Sequence, residues 1–300
     1  MSDPASTFEP HRRRLLGLAY RMLGSIAEAE DAVQEAYLRW HEADRDAVAS
    51  PRAFLTTTTT RICLDVLRSA RVKREAYVGE WLPEPVLDAD ALAPDAQTAL
   101  AEDLSIALLL ALDRLSPLER AAFLLHDVFD CSFTELASAL GRSEAACRQL
   151  AARARVHVRA ARLRKDAPAT AERDAAAGAK HRQLLSAFVD AARSGDVDGL
   201  MHLLAHDVRF IADGGGKVPA ALNVIEGADR TARFVAGAIR KGLVAGVTLR
   251  FATINGLPGL IIHGDDGSIQ STAFEIEGDR IRAIYVVRNP DKLRHVTPSA

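Results

Sequence analysis

Residues 133–158, FTELASALGRSEAACRQLAARARVHV, decide how this chain is read. Counted from Phe133, Ala137 stands at position 5, Gly141 at 9, Cys147 at 15 and Leu150 at 18, the spacing of a helix-turn-helix. Position 5 must be small because a second helix crosses close to it. Position 9 opens the turn, where glycine reaches φ > 0 without steric cost. Positions 15 and 18 face the helical core. The other side of the second helix carries Arg148, Gln149, Arg153 and Arg155, the groups that phosphates and guanine or adenine edges require. From Glu144 to Lys165 there are seven Lys/Arg and one acid, a net of +6 over 22 residues. Alone, such a run is a solvated helix face. Joined to the turn spacing, it implies DNA binding.

Composition sets the frame. Three hundred residues allow two or three domains. Apolar content of 48% with 26% charged residues is that of a soluble globular protein, and a net charge of −2 offers no global attraction to nucleic acid. Any DNA affinity must therefore be local. Cys63, Cys131 and Cys147 are odd in number, far apart and form no C-x-x-C pair. This argues against a disulfide framework or zinc site and fits a reducing, cytoplasmic setting. No signal-length or membrane-spanning apolar run is expected.

Outward from the motif, helical spacing recurs. Leu15, Leu18, Ala19, Met22 and Leu23 form one stripe. After a Gly24-Ser25 break, Ala29, Ala32, Val33, Ala36, Tyr37 and Trp40 form another. Ser25 and Glu28 make a capping-box pattern. Pro51 opens a third helix through Leu55, Ile62, Val66 and Leu67. Thr56–Thr60 are five consecutive β-branched residues, which propensity would place in a strand. The unbroken period of residues 61–68 predicts helix instead. Residues 75–113 hold nine acids and no Lys or Arg, with WLPEP at 81–85, and their front half reads as a linker. Periodicity returns around Ala99. Ser116, Pro117 and Glu119 then start a helix that completes a four-helix unit with the helix-turn-helix, ending near Lys165.

An Ala-rich second linker leads to a different kind of domain. Helices are expected at 180–194 and 197–204, a strand at 207–212, a glycine turn and a helix at 228–241. Strands at 247–254, 259–263, 269–276 and 280–288 follow, with Gly278-Asp279 as a hairpin signal. This order implies an α+β sheet curled around a helix.

Five pieces resemble a known family in its order and spacing. They are Asp31-Ala-Val-Gln-Glu-Ala-Tyr-Leu-Arg-Trp40, Pro51-Arg-Ala-Phe-Leu55, Leu64-Asp-Val-Leu-Arg68, Leu115-Ser-Pro-Leu-Glu-Arg120 and the helix-turn-helix. Residues 8–165 resemble a bacterial extracytoplasmic-function (ECF) sigma factor. WLPEP, Asp213-Gly-Gly-Gly-Lys217 and Asn289-Pro-Asp-Lys-Leu293 are similar to signatures of that family's SigJ-type group, which carries a SnoaL-like (NTF2-like) extension. The threonine run departs from the family pattern, where aromatic and basic residues are commoner. The resemblance implies two all-α sigma domains (regions 2 and 4, the latter with the helix-turn-helix) followed by an α+β SnoaL/NTF2-like cone. The expected boundaries are 1–78 for region 2, 79–100 for an acidic linker, 101–166 for region 4, 167–179 for a linker and 180–294 for the cone.

By the same resemblance the partners are core RNA polymerase and promoter DNA. Asp31, Gln34, Glu35, Leu38 and Arg39 would contact polymerase; the bland reading is a surface helix with i,i+4 pairs. Arg61, Arg68, Arg71 and Lys73 would lie on the −10 element, with the loop 44–52 catching a flipped base. Arg148, Gln149 and Arg153 would read −35 base edges, Arg142, Arg155 and Arg159 would bind phosphates, and Ser143 is a further DNA-binding position. The acidic linker, with Asp88, Asp90 and Asp95, either mimics nucleic acid in the RNA path of polymerase or is a plain extended tether.

The cone admits two readings. A ketosteroid-isomerase-like site would draw on Asp213, His206, Asp229 and Tyr285, but no motif fixes that geometry. DGGGK lacks Walker A spacing. The favoured reading is regulatory: the domain would pack against the first two domains and against Trp81, Leu82, Pro83, Glu84 and Pro85, favouring an arrangement that cannot bring both to promoter DNA, with Asp213, Gly214, Gly215, Gly216, Lys217, Asn289, Pro290, Lys292 and Leu293 as contact elements. Against that stand a plain turn and strand terminator. No catalytic residue, metal, cofactor, membrane contact or separate anti-sigma factor is expected, and room is left for an unidentified small ligand in the cone. Two other classes stay open: a ligand-sensing helix-turn-helix regulator that works without polymerase, and a SnoaL-type enzyme.

Overall fold

The computed structural model describes residues 3–75, 77–87, 104–163, 175–241 and 246–296. The chain divides into two compact units, residues 1–76 with 88–166, and residues 77–87 with 167–300.

The first unit is helical. α1 (Pro4–Leu23) ends where Gly24 turns into the left-handed region at φ +73°. α2 (Ile26–Glu42) is capped by Ser25, whose side chain accepts from the Glu28 amide. α3 (Pro51–Glu75) runs straight through the threonines. Thr59 and Thr60 are fully buried, and the Thr60 hydroxyl donates to the Thr56 carbonyl at 2.7 Å. The helix thus supplies its own acceptor for a group that burial would otherwise leave costly. Trp40 is buried and donates from its indole to the Pro4 carbonyl, tying α2 to the start of α1.

The second half of this unit comprises α4 (Ile106–Asp113), α5 (Pro117–Phe123), α6 (Phe133–Leu140) and α7 (Glu144–Leu163). Residues expected to be helical around 99 lie outside the described residues. Ser116 with Glu119, and Ser132 with Glu135, form complete capping boxes. The second pair has the S-x-x-E spacing of such a box. Between α5 and α6 the chain winds into a π turn, Leu124–Val128, which nothing in the sequence announced.

The second unit is a six-stranded sheet in the order β2-β1-β6-β5-β4-β3. It follows α8 (Ala175–Ser194) and α9 (Val197–Leu203). The strands are β1 (Leu204–Asp213), β2 (Ile225–Glu226), β3 (Val247–Ile254), β4 (Leu257–Gly264), β5 (Ile269–Glu277) and β6 (Arg280–Val287). α10 (Ala228–Arg240) connects β2 to β3. β1 and β6 are parallel, whereas β3 to β6 form an antiparallel meander. This is the expected α+β cone. One sheet face buries Phe210, Ala212, Leu260, Phe274, Ile284 and Val286 against the helices through Leu185, Phe188, Leu200, Ala232 and Ala236. By strand alternation Ile211 and Asp213 point to the opposite face.

Residues 77–87 belong to this second unit, so the boundary expected at 78 and the linker expected from 79 differ from what is found. Residues 82–86 are buried. Apolar Leu82 and Val86 bind the segment as a strap where composition alone suggested a tether.

Candidate nucleic-acid interface and strap-binding site

Helix α7 is organised as its spacing required. Gly141 caps α6 at φ +63°, and Cys147, Leu150, Ala151, Ala154 and Val158 are buried. Ser143 accepts from the Ala146 amide and starts the helix. Arg142 is exposed in the turn before it, and its exposed face carries Arg148, Gln149, Arg153 and Arg159. Three of the arginines expected to contact DNA from this helix have partners within the unit. Arg148 pairs with Glu144 at 2.7 Å and lies 5.2 Å over the Phe133 ring. Arg153 pairs with Glu119 at 3.1 Å, and Arg155 with Asp127 at 2.7 Å. The Ser116 hydroxyl, with smaller help from Arg153 and His157, holds the Glu119 carboxyl below the usual carboxylate range.

On α3, Arg68 is exposed and pairs with Asp65; the side chains of Arg71 and Lys73 lie outside the described residues. Arg61 donates to the Ser138 carbonyl at 2.7 Å and the Ala139 carbonyl at 3.1 Å, at the end of α6. Two more arginines join the halves of this unit in the same way. Arg14 donates to the Phe129 carbonyl just after the π turn and lies 5.0 Å over that ring. The buried Arg120 donates to the Met22 carbonyl at 2.5 Å and pairs with Asp113 at 3.0 Å. On α2, Asp31, Gln34, Leu38 and Arg39 are exposed, and Glu35 pairs with Arg39 at 2.9 Å.

In the second unit the three expected contact motifs meet on one carboxylate. Asp213 is fully buried. Its Oδ1 accepts from the Tyr77 hydroxyl at 2.5 Å and the Gly215 amide at 3.0 Å. Its Oδ2 accepts from the Leu82 amide at 2.9 Å and Lys292 Nζ at 2.7 Å. All four lone-pair directions of the carboxylate are thereby used. Lys292 also donates to the Leu82 carbonyl and lies 4.4 Å over the Trp81 ring. Asn289 donates to the Tyr77 hydroxyl. Burial, then the bond to Asp213, pushes the Tyr77 hydroxyl well above its ordinary range, so it stays a donor.

The glycines of the DGGGK motif have a steric reason. A Cβ on Gly214 would stand 2.3 Å from the Val218 carbonyl oxygen, and one on Gly215 2.2 Å from Asn289 Nδ2. Gly215 and Gly216 also adopt φ of +60° and +69°. Lys217 pairs with Asp291 across the turn. Glu84 and Leu293 are buried, and Pro83 and Pro85 with them, whereas Pro290 is exposed. Farther along the strap, Val86 and Asn255 exchange hydrogen bonds of 3.1 and 2.8 Å. Asn255 sits at φ +51° in an Asn255-Gly256 hairpin turn, a strong local signal that the sequence reading passed over.

Three of the four candidate catalytic residues are engaged by other groups of the second unit. Asp213 is committed to the strap, Tyr285 donates to Glu275, Asp229 pairs with Arg233, and His206 is exposed.

Residues 7–72 match the Sigma-70 region 2 family and residues 105–158 the Sigma-70 region 4 family. The ECF RNA polymerase sigma factor SigJ of Mycobacterium tuberculosis is 41% identical over 298 residues, covering 96% of this chain and 92% of its own. The chain is an ECF RNA polymerase sigma factor. A probable ECF sigma factor of the same species, SigI, is 32% identical over 295 residues, covering 97% of this chain and 95% of its own. The crystal structure of SigJ superposes with a TM-score of 0.70 at 37% identity, covering 97% and 98% of the two chains. In this sigma factor α1–α3 form region 2 and α4–α7 form region 4, and the protein directs RNA polymerase in transcription initiation. Among the described residues no helix is long and apolar enough to cross a membrane.

Proposed function

We propose that this sigma factor binds core polymerase through the exposed face of α2, reads −10 with α3 and −35 with α7, and is restrained in cis by its C-terminal domain. The Asp213 site carries the regulatory part of this reading. The strap lies on the chain between region 2 and region 4, and its 11 residues would add about 36–40 Å of extended reach if released. Clamped, they are withheld from the tether. Arg61, Arg14 and Arg120 hold region 2 against region 4, and Arg61 is itself an expected −10 contact. Polymerase binding then favours the separated arrangement, and the clamp opposes it. The C-terminal domain acts as a lever, not an enzyme, and the chain needs no separate anti-sigma factor for this restraint.

Run-off transcription with purified core polymerase tests the reading. Trp81→Ala removes the ring beneath Lys292 and is expected to give more transcript than the parent at equal polymerase occupancy. Equal output from the two proteins would contradict the lever. Transcript output that does not depend on adding the chain to core polymerase would instead favour a regulator acting without it.

A further inference from the structure

We infer that His295 is a positioning residue that pins the strap in its protonated form, which makes the grip of the C-terminal domain on the strap sensitive to pH. The ring lies just beyond the 3₁₀ turn Pro290–Lys292. Its Nδ1 is 3.1 Å from the Glu84 carboxylate, and its Nε2 is 2.7 Å from the Pro85 carbonyl. A neutral imidazole has one N–H and one lone pair. Here both nitrogens face acceptors. A main-chain carbonyl never donates, so Nε2 must carry a proton. At Nδ1 a second proton has to lie between the ring and Glu84, and it rests on the imidazole, the stronger base by about two pK units. Without it, two lone pairs would face each other at hydrogen-bond distance, beside a carboxylate whose side chain is only 6% exposed.

Among the described residues, the tail also carries Asp291, Lys292 and Arg294, and Asp213 stands at the end of β1. Lys292 is committed to Asp213, and Arg294 to Asp291. Among the described residues, Glu84 is the acid paired with the ring. The sign follows. The folded state favours the protonated ring over the free value of about 6.5, so the pin is fully present below that value. It is lost as pH rises through the higher folded value. A midpoint one unit above the free value corresponds to a tenfold larger strap-opening constant above the titration than below it.

The regulatory consequence rests on the lever reading above; the pin itself does not. The test is an NMR titration of the whole protein with ¹³C-labelled histidine, which has nine such residues. The resonance absent from His295→Gln identifies His295. Its midpoint is expected above about 6.5. Amide hydrogen exchange in residues 77–87, corrected for its intrinsic pH dependence, is expected to accelerate across that midpoint in the parent and to show no such step in His295→Gln. A midpoint at or below 6.5, or the same step in both proteins, would overturn the pin. A titrating pin together with run-off transcription unchanged across the same interval would leave the pin standing and remove its regulatory role.

Discussion

Replacing Asp213 by asparagine keeps the shape of the side chain and removes its charge. Four donors converge on the carboxylate, two at each oxygen. Asparagine can serve one pair through its carbonyl, but its amide nitrogen then confronts the other pair as donor against donor. If the amide takes the Oδ2 side, the Leu82 amide and Lys292 lose this acceptor, and a lysine side chain only 11% exposed loses the Asp213 charge. Breaking a buried pair by removing one partner costs about 3–5 kcal/mol. For a unit of this size that corresponds to a fall in unfolding temperature on the order of 10 °C. Differential scanning calorimetry of the full chain measures it, with Asp229→Asn as the control. Asp229 is an exposed i,i+4 partner of Arg233, whose loss should cost less than about 0.5 kcal/mol. If Asp213→Asn shifts the transition no more than Asp229→Asn does, the carboxylate is not what binds the strap.

Gly215→Ala should destabilise the second unit by about 2–4 kcal/mol in calorimetry, combining left-handed strain with displacement of Asn289. Gly278→Ala, at φ +61° in open space, should cost only the strain of about 1–2 kcal/mol. Arg148→Ala should weaken binding to the preferred −35 sequence by about 1–3 kcal/mol in a titration against labelled duplex. Its surface pair with Glu144 is too weak to mask that loss. Glu119 and Glu135 are held below the usual carboxylate range by the hydroxyl of Ser116 and the amide of Ser132 respectively. Depressed values contribute stability that is present above the ordinary carboxylate range and lost as pH falls through the folded ones. Glu119→Gln should therefore flatten the acid limb of the stability profile measured by urea unfolding between pH 3 and 5.

The helix-turn-helix could be read from its spacing because small, glycine and apolar positions are dictated by local geometry. The threonine helix could be read only by weighing period against propensity. Its stabilising detail, a hydroxyl turned back to the carbonyl four residues earlier, leaves no separate mark in the sequence. The meander was legible to within two residues at each strand end, whereas the two-residue β2 was too short to carry a pattern. The Asp213 motif announced a turn through its glycines, but not that the space beside them is filled by Asn289. The arginine contacts between regions 2 and 4 were invisible for a physical reason. Each ends on a main-chain carbonyl, which every residue possesses, so no partner type singles them out. His295 stood in no motif, and only its position between two acceptors gives it a role.

Core polymerase is expected to draw region 2 and region 4 apart. The native cysteines Cys63, Cys131 and Cys147 are buried, so fluorophores can be placed on exposed positions as Ser69→Cys and Val156→Cys. Energy transfer between them is expected to be high in the free chain and to fall on saturation with core polymerase. Transfer that stays unchanged at saturation would contradict the account.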